Sequence, residues 1–459
     1  MNALGGAAAP IVVLGAGGVL ILLLDLFWEG RQALLRAVTL AVLALGGIAA
    51  VAAPGFGSGF GGAILGDRLS RVSDLLAVVA AAAAVVLPPP AGWGKRWSAY
   101  LALLLWSAAG MAVAGGAGNL IMLFLGVEVL SLALYALVAF SVEDGRAAEA
   151  GFKYFVLGGL GSALLLYGSA LVYAASGTLS LTAATAASGP LATMGLVLIV
   201  AGLGFKLALV PFQLWTPDVY EGASTPITAF MAVGTKAAAF AGLARVATSG
   251  FLTSGGWAGT VLAIGVLSMF AGYLLAIAQP GLKRLLAFSG VANAGTLVLV
   301  LLAPAAWREA AFIYLAAYAA ATLGAFAVVS AVEDPGLGSG GADGLDHLRG
   351  LGRRYPWLAA ALVVSLLSLA SVPPTAGFVG KLLVLQALAG AGHAFVAVLV
   401  IAATVLALYP YFKLAVACLQ PADGDGPRLR ASSGWPVVAA VAAVATLAIG
   451  ILPGVVLHG

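Results

Sequence analysis

The sequence predicts an all-α polytopic membrane protein with about 14 transmembrane helices. Of the 459 residues, 63% are hydrophobic and only 8% are charged, and the mean hydropathy is +1.11, which is typical of membrane proteins. Apolar segments of about 20 residues, the length that crosses the hydrocarbon core, also follow one another along the whole chain. The formal net charge of +4 indicates membrane orientation rather than a nucleic-acid partner.

Charges, prolines and Gly/Ser clusters divide the chain into fourteen predicted spans, numbered here in chain order. Span 1 has no basic leader and no small-residue cleavage site, so we expect a retained helix. Span 3 ends at three consecutive prolines, and span 12 is unusually long. The spans cover residues 8–28, 34–54, 70–88, 97–115, 118–140, 151–175, 189–213, 226–248, 256–278, 282–303, 308–332, 356–387, 393–419 and 433–455.

The loop charges predict the orientation of the spans. Thirteen lysines and arginines lie in loops that follow odd-numbered spans, and four lie in loops that follow even-numbered spans. Basic residues are retained on the cytoplasmic side. We therefore expect a multi-pass protein of the bacterial inner membrane with both termini on the outer, periplasmic side.

Spans 7 and 12 are predicted to be discontinuous. Pro211 follows Lys206 in span 7, and Pro373 and Pro374 precede Lys381 in span 12. Proline removes an amide donor and kinks or opens a helix, and freed backbone groups survive in a membrane only beside water or protein. An isolated transmembrane proline often merely bends a helix, but a lysine lies near the break in both spans.

The two interrupted spans are five spans apart, and a repeat of five helices must re-enter from the opposite face. Spans 4–8 and 9–13 are therefore predicted to form two inverted five-helix repeats, as in many transporters. The corresponding domains are an N-terminal three-helix segment over residues 1–92, repeats over 93–249 and 250–420, and a C-terminal helix over 421–459.

Five charged residues lie within or at the edge of apolar spans: Glu128, Lys153, Lys206, Lys236 and Lys381. A charge in the membrane interior costs about 2.5–3.5 kcal/mol on insertion scales, so these residues predict proton or ion movement. Burial disfavours the charged form of a group and an opposite charge restores it, so a lysine near an acid can exchange a proton. We expect Glu128 to tune Lys206, Lys206 to pass a proton toward Lys236, and Lys381 to serve the other half channel.

Uncharged polar residues are expected to line this path with water or hydrogen bonds. Ser131 and Tyr135 follow Glu128 at the i+3 and i+7 positions, which share one helix face. Gln213 shares a face with Lys206 if span 7 is helical throughout, and Asn293 belongs to a polar stripe in span 10.

Two alternatives remain open for these charges. Glu128 and Lys206 can form a static ion pair that fixes helix packing, although acids to match the other lysines are absent from the membrane interior. Lys153 lies near Glu143, Asp144 and Glu149, and it either feeds protons inward or extends its ammonium group to the interface.

The sequence lacks the usual signatures of bound cofactors. Cys418 is the only cysteine, and the three histidines are not spaced as metal or haem ligands. There is no GxGxxG motif after a strand, no Walker loop and no HExxH motif. We expect no redox centre, cofactor or metal in this chain itself.

Four segments carry a resemblance to the antiporter-like membrane subunits of respiratory complex I, the bacterial NADH–quinone oxidoreductase, and most closely to its subunit N branch. WTPDVYEG followed by TKAAAF is the most specific part, and the likeness covers roughly residues 95–415. The segments are FLGVEVLSLALYALVAF (124–140), AEAGFKYFVLGGLGSALLLYG (148–168), GFKLALVPFQLWTPDVYEGASTPITAFMAVGTKAAAF (204–240) and LKRLLAFSGVANAG (282–295).

The resemblance implies a fourteen-helix fold, broken spans 7 and 12, and proton translocation driven by quinone reduction in other subunits. Family roles then fall on Glu128, Lys206, Lys236 and Lys381. The implied partners are other membrane subunits and the bilayer, with flavin, iron–sulfur clusters and quinone in the partner subunits. A subunit of a multisubunit sodium–proton antiporter and a purely structural membrane spacer are the alternatives.

This chain departs from the family pattern at two positions. The family usually has histidine where this chain has Gln213, and often where it has Asn293. A carboxamide side chain cannot titrate. The resemblance therefore implies a path of lysines bridged by water here, without a histidine relay.

Overall fold

A computed structural model describes residues 6–28, 30–52, 57–87, 93–141, 144–184, 188–248, 257–332, 344–422, 427, 429 and 434–454. Helices dominate these residues, and only one short hairpin is formed. The α-helices are α1 Ala9–Phe27, α2 Gln32–Ala52, α3 Arg68–Val86, α4 Trp97–Gly116, α5 Leu120–Val138, α6 Gly145–Ser176, α7 Leu181–Ala184, α8 Pro190–Leu207, α9 Trp215–Gly222, α10 Thr225–Phe230, α11 Lys236–Thr248, α12 Trp257–Ile277, α13 Leu282–Leu299, α14 Trp307–Val332, α15 Leu351–Arg354, α16 Pro356–Leu369, α17 Ala376–Gly390, α18 Ala394–Leu419 and α19 Gly434–Ile451.

Thirteen helices in the described ranges are long and apolar enough to cross a membrane, by length and composition. Two shorter apolar helices, α16 and α17, together occupy the predicted span 12. The prediction of about fourteen spans is therefore confirmed. Helices α10 and α11 form one span because a π-helical turn, Met231–Thr235, joins them.

Both predicted interruptions are present in the structure. Helix α8 ends at Leu207, so the predicted span 189–213 is helical only in its first part. Helix α16 ends at Leu369 and α17 begins at Ala376. The prolines lie between the helical pieces, because a residue without an amide donor cannot continue the helical hydrogen bonding. Pro88–Pro90 at the end of predicted span 3 lie outside the described residues.

Contacts divide the chain into two compact units. The first comprises residues 1–85, 90–207 and 234–257, and the second comprises residues 86–89, 208–233 and 258–459. The unit boundaries differ from the predicted domain boundaries at 92, 249 and 420, since residues 208–233 belong with the later part of the chain. The two inverted five-helix repeats stay a prediction.

In the first unit, glycines allow two helix pairs to approach closely. A Cβ on Gly126 of α5 would lie 2.4 Å from the backbone nitrogen of Ala114 on α4. A Cβ on Gly195 of α8 would lie 2.7 Å from the carbonyl oxygen of Gly168 on α6. Small residues permit such packing between membrane helices, and here they fix α5 and α8, which carry four of the predicted site residues: Glu128, Ser131, Tyr135 and Lys206.

A short antiparallel hairpin covers one end of the first unit. Strand β1, Gly57–Gly59, pairs with strand β2, Ile64–Gly66. The backbone amide of Gly118, between α4 and α5, donates to the carbonyl of Ala63 at 2.9 Å. The hairpin leads directly through Asp67 into α3.

In the second unit, α13 and α14 form the centre. The most apolar segments of α13 and α14 have 100% and 94% of their residues buried inside the protein. Helices α18 and α19, by contrast, are apolar but largely exposed. A Cβ on Gly272 of α12 would lie 2.5 Å from the backbone nitrogen of Ala292 on α13. The polar residues of α13 are therefore enclosed by protein.

Candidate functional site

Lys206 lies in the last turn of α8, directly before the break in span 7. Its side chain is 1% exposed, and Ala208, two residues later, has a φ of 60°. This left-handed backbone ends the helix and leaves the last carbonyl groups of α8 without intrahelical partners. A cation in this position is also stabilised by the negative, C-terminal end of the helix dipole.

Aromatic rings surround the Lys206 ammonium group within the first unit. Its Nζ donates to the Tyr135 hydroxyl at 3.2 Å. The Nζ also lies 5.2, 5.4 and 5.5 Å from the ring centroids of Tyr135, Tyr154 and Phe205, within the range of cation–π attraction. The three rings and one hydroxyl form the Lys206 cage. It holds a cation without a carboxylate partner.

Glu128 does not contact Lys206 directly. Its Oε1 is buried and accepts no hydrogen bond from the described residues, and no ion pair joins it to Lys206 among them. Glu128 lies two helical turns before Tyr135 on α5, about 10 Å along the axis. Ser131 donates to the carbonyl of Val127 in its own helix. The static ion pair considered above is thus not formed in this structure.

Lys236 is the first residue of α11, after the π-helical turn, and it is 4% exposed. Its Nζ donates to the carbonyl oxygen of Leu207 at 3.2 Å. This carbonyl is one of those that the end of α8 leaves free, so Lys236 caps the broken helix. Leu207 follows Lys206 in the chain, so the Lys236 amine binds the helix end that carries Lys206, whereas the Lys206 amine itself donates to Tyr135.

Lys381 lies in α17 of the second unit and is 4% exposed. Its Nζ has no hydrogen-bond partner in the described part of the chain and lies 5.9 Å from the ring centroid of Tyr273. Ser371, in the break before α17, has a φ of 60° and precedes Pro374 by three positions, as Ala208 precedes Pro211. Lys206 precedes the break in span 7, whereas Lys381 follows the break in span 12. The two lysines are therefore not equivalent in the two broken spans.

A chain of hydroxyl and amide groups runs through the second unit. The Tyr411 and Ser289 hydroxyls are 2.5 Å apart, the Asn293 amide nitrogen lies 3.3 Å from the Ser289 Oγ, and the Tyr314 hydroxyl donates to the Asn293 Oδ1 at 2.7 Å. Asn293, Tyr314 and Ser371 also line a small cavity beside the break, with room for about one water molecule. Asn293 is hydrogen-bonded through both atoms of its amide.

Gln213 is placed differently from the expectation, and Lys153 is placed as one of its two interpretations predicted. Gln213 lies outside any helix, after α8 has ended, so the shared helix face with Lys206 does not exist. Its Oε1 is buried with no partner among the described residues. Lys153 is 40% exposed in its side chain and pairs with Glu149, one turn earlier on α6, at 2.7 Å. Of the two interpretations of Lys153, this geometry favours a surface lysine.

Three buried ionisable residues, Lys283, Asp74 and Arg245, were missed by sequence reasoning. Lys283, placed by the sequence in a loop, is 0% exposed at the start of α13, and its Nζ donates to the carbonyl of Ala223 at 3.2 Å. Asp74 of α3 is buried, although Glu128 was the only acid expected inside the membrane. The signal for Asp74 was its position seven residues after Asp67, on the same helix face.

Asp67 itself belongs to a salt bridge with Arg245 near the end of α11. The Arg245 Nη1 and Nη2 donate to Oδ2 and Oδ1 of Asp67 at 2.9 and 2.8 Å. Partial burial opposes ionisation of Asp67, but the hydrogen bonds and charge of Arg245 outweigh that effect and lower the pKa of the carboxyl.

Within the described ranges, no group of three or more His, Cys, Asp or Glu side chains could hold a metal ion. The site described above consists instead of buried amines, aromatic rings, hydroxyls and exposed carbonyls at two helix breaks. Such groups can bind, hold and pass a proton.

The chain is similar to membrane subunits of known respiratory complexes. The family model "NADH:quinone oxidoreductase/Mrp antiporter, TM" matches residues 117–407. NADH-quinone oxidoreductase subunit N 1 of Symbiobacterium thermophilum is 42% identical, with 97% of this chain and 96% of the relative covered. The protein of the same name from Solidesulfovibrio magneticus is 40% identical, covering 91% and 88%.

Solved structures have the same fold. A chain of respiratory complex I from Thermus thermophilus matches with a TM-score of 0.87 and 37% identity, over 98% of this chain and 99% of that chain. A chain of the Mrp complex from Dietzia matches with a TM-score of 0.84 and 21% identity, over 98% and 96%, which shows the fold alone. The predicted family is confirmed: this multi-pass membrane chain belongs to the NADH:quinone oxidoreductase/Mrp antiporter transmembrane family.

Proposed function

We propose that this chain is a proton-translocating membrane subunit of a NADH–quinone oxidoreductase. Quinone reduction takes place in other subunits, which hold the flavin, iron–sulfur clusters and quinone, and it drives proton movement through this chain. The bacterial inner membrane is the location, with both termini on the outer side. One observation carries the proposal: Lys206, whose buried amine donates to Tyr135, lies in the last turn of the broken helix α8, and the buried amine of Lys236 donates to the carbonyl of the next residue, Leu207.

The first unit supports proton exchange at Lys206 because its ammonium group is only partly satisfied. A lysine ammonium has three N–H donors, and the hydrogen bond to Tyr135 uses one. The rings of the Lys206 cage stabilise the charge without fixing it, unlike a carboxylate in contact. Loss of the proton leaves a neutral amine that can still accept a hydrogen bond from the Tyr135 hydroxyl.

Lys236 accepts the proton in this scheme, and the negative charge of Glu128 favours the protonated form of Lys206. The Leu207 carbonyl binds the protonated form of Lys236, so Lys236 is the group that receives a proton from Lys206. The Glu128 carboxylate favours the charged form of Lys206 through space, without a direct contact. Water bridges the gaps between these groups.

Lys381 and the hydroxyl chain serve the other half channel. The unpartnered Nζ of Lys381 and the cavity beside the second break provide a protonatable group and a place for water. A connected series of hydrogen bonds runs from Tyr411 through Ser289 and Asn293 to Tyr314 and includes no histidine. Lys153 has no part in this path.

The test measures acidification of vesicles that contain the assembled complex during NADH oxidation. Glu128→Ala, Lys206→Ala and Lys381→Ala should each assemble and pump at a reduced rate. Leu382→Ala, next to Lys381 on an exposed face of α17, is the matched control and should pump normally. Normal acidification by all three charge variants would refute the proposal. Purification with flavin and iron–sulfur subunits separates this function from that of a sodium–proton antiporter subunit.

A further inference from the structure

A buried carboxyl group near one end of the first unit takes no part in the path described above. Asp74 in α3 is 6% exposed, and its Oδ1 accepts no hydrogen bond from any described residue. An ionised carboxylate without partners is very costly inside a protein. Asp74 therefore holds a proton in this arrangement or needs a nearby cation to ionise.

The nearby cation is Arg245, and it is bound elsewhere. Its Nη1 and Nη2 form a bidentate pair with Asp67, and its Nε donates to the Gly115 carbonyl at 2.8 Å. Arg245 is 8% exposed, whereas the Asp67 side chain is 39% exposed. The salt bridge thus joins a buried guanidinium group to a carboxylate at the surface of the unit.

Both carboxyl groups lie on the same face of α3. Asp67 directly precedes the helix, where its Oδ1 accepts a hydrogen bond from the Ser70 amide at 2.9 Å. Asp74 follows seven residues later, two turns or about 10 Å deeper. The charges of Arg245 and Asp67 both act on Asp74, and Arg68 and Arg71 are the other charged groups on this part of α3. The positive charge of Arg245 therefore acts on two carboxyl groups, that of Asp67 at the surface and that of Asp74 in the interior.

We propose that Asp74 is a proton-binding site of this chain and that Arg245 controls it by exchanging between Asp67 and Asp74. While Arg245 binds Asp67, the O–H bond of Asp74 stays intact. When Arg245 turns to Asp74, that O–H bond breaks, the proton passes to water beside the exposed Asp67, and a new ion pair forms. Arg245 returns to Asp67 when Asp74 takes up the next proton.

The inference rests on the proposed function, because the proposed path through Lys206 and Lys236 supplies the proton that Asp74 binds. Lys236 begins α11, and Arg245 lies nine residues later on the same helix, about 13 Å along its axis. The α11 segment between them is buried. It reaches α3 through Gly115 of α4, whose carbonyl binds Arg245: a Cβ on Gly115 would lie 4.0 Å from the Ala241 Cβ and 2.5 Å from the Ser73 Oγ. Asp74 follows Ser73 and therefore lies next to this point of contact.

The test uses the assembled complex in lipid vesicles. Asp74→Asn preserves the shape of the side chain but cannot release a proton, so we expect protons pumped per NADH to fall at least twofold. The infrared band of a protonated carboxyl group in the resting complex should also be lost. Glu309→Gln removes an exposed carboxylate of α14 and should change neither value. Normal pumping by Asp74→Asn, or an unchanged carboxyl band, would overturn the inference.

Two further variants keep the test decisive. Asp74→Glu retains a carboxyl group, so it should pump and its infrared band should shift; a band that does not move overturns the assignment even if Asp74→Asn fails to assemble. Lys206→Ala separates the two proposals. If Lys206→Ala stops pumping and Asp74→Asn does not, only the role of Asp74 is wrong, whereas normal pumping by both variants removes the proposed function as well.

Discussion

Gly158 offers a way to disturb the Lys206 cage without changing any of its members. A Cβ at Gly158 of α6 would lie 2.1 Å from the Tyr135 hydroxyl oxygen and 2.7 Å from the ring carbon that bears it. Ordinary van der Waals contact begins at 3.4 Å, so the hydroxyl must move by about 1.3 Å. A displacement of that size breaks its 3.2 Å hydrogen bond with the Lys206 Nζ.

The expected loss follows from the strength of that bond. A hydrogen bond to a charged group contributes about 1.5–3 kcal/mol, which corresponds to roughly a 10- to 100-fold change in the balance between ammonium and amine. We predict that Gly158→Ala assembles normally and lowers the rate of vesicle acidification by roughly tenfold. The Tyr135 side chain can rotate away, so the helices themselves need not separate.

The chain provides a matched control and an independent check. Gly159, the next residue of α6, would have nothing within 4 Å of an added Cβ, and Gly159→Ala should pump normally. Tyr135→Phe removes the same hydrogen bond, so Gly158→Ala combined with Tyr135→Phe should be no worse than either alone. Fully additive losses, or normal pumping by Gly158→Ala, would show that the Tyr135 hydroxyl does not act on Lys206.

Four other predictions concern separate parts of the structure. Lys236→Ala leaves the Leu207 carbonyl without its donor, and acidification should fall while the complex still assembles; an unchanged rate contradicts the acceptor role. Gln213→His should be tolerated because Gln213 lies outside the helices, and failure of assembly on a native gel would show a closed site. Lys381→Arg keeps a permanent charge in the second unit, so its acidification should stop although Lys381 is not in an ion pair; normal acidification would mean that only charge is needed there. Asp67→Asn should lower the Tm of the complex at neutral pH, and this effect should shrink as pH falls below 3.8 and disappear below the lowered pKa of the folded state, because a carboxyl whose pKa is lowered by folding stabilises above its unfolded pKa and loses that effect as pH falls through its folded pKa; an undiminished effect at low pH would contradict it.

Much of the fold followed from hydropathy and proline. Apolar length alone fixed the number of spans, because every backbone group in a bilayer must be satisfied within helices. The breaks were predicted because Pro211 and Pro374 cannot continue a helix. The exact end of α8 could not be predicted, since Ala208 adopts a left-handed conformation that its own side chain does not favour.

The site was predicted less completely than the fold. Lys206, Lys236 and Lys381 are buried as expected because an amine in an apolar span has no aqueous alternative. Their partners came from elsewhere in the sequence: Tyr154 is far from Lys206 along the chain, and nothing in its surroundings marks it as part of a cage. Asp74 escaped notice because it lies near the start of its span, where an acid is usually solvated.

The most direct test of the central claim replaces Lys206 by arginine. Arginine keeps the positive charge and the aromatic contacts of the Lys206 cage, but it cannot be deprotonated in a protein. If Lys206 moves protons, Lys206→Arg should assemble and fail to acidify vesicles during NADH oxidation. If Lys206→Arg acidifies vesicles at the rate of the unaltered complex, Lys206 provides only a fixed charge, and the proposed proton path is wrong.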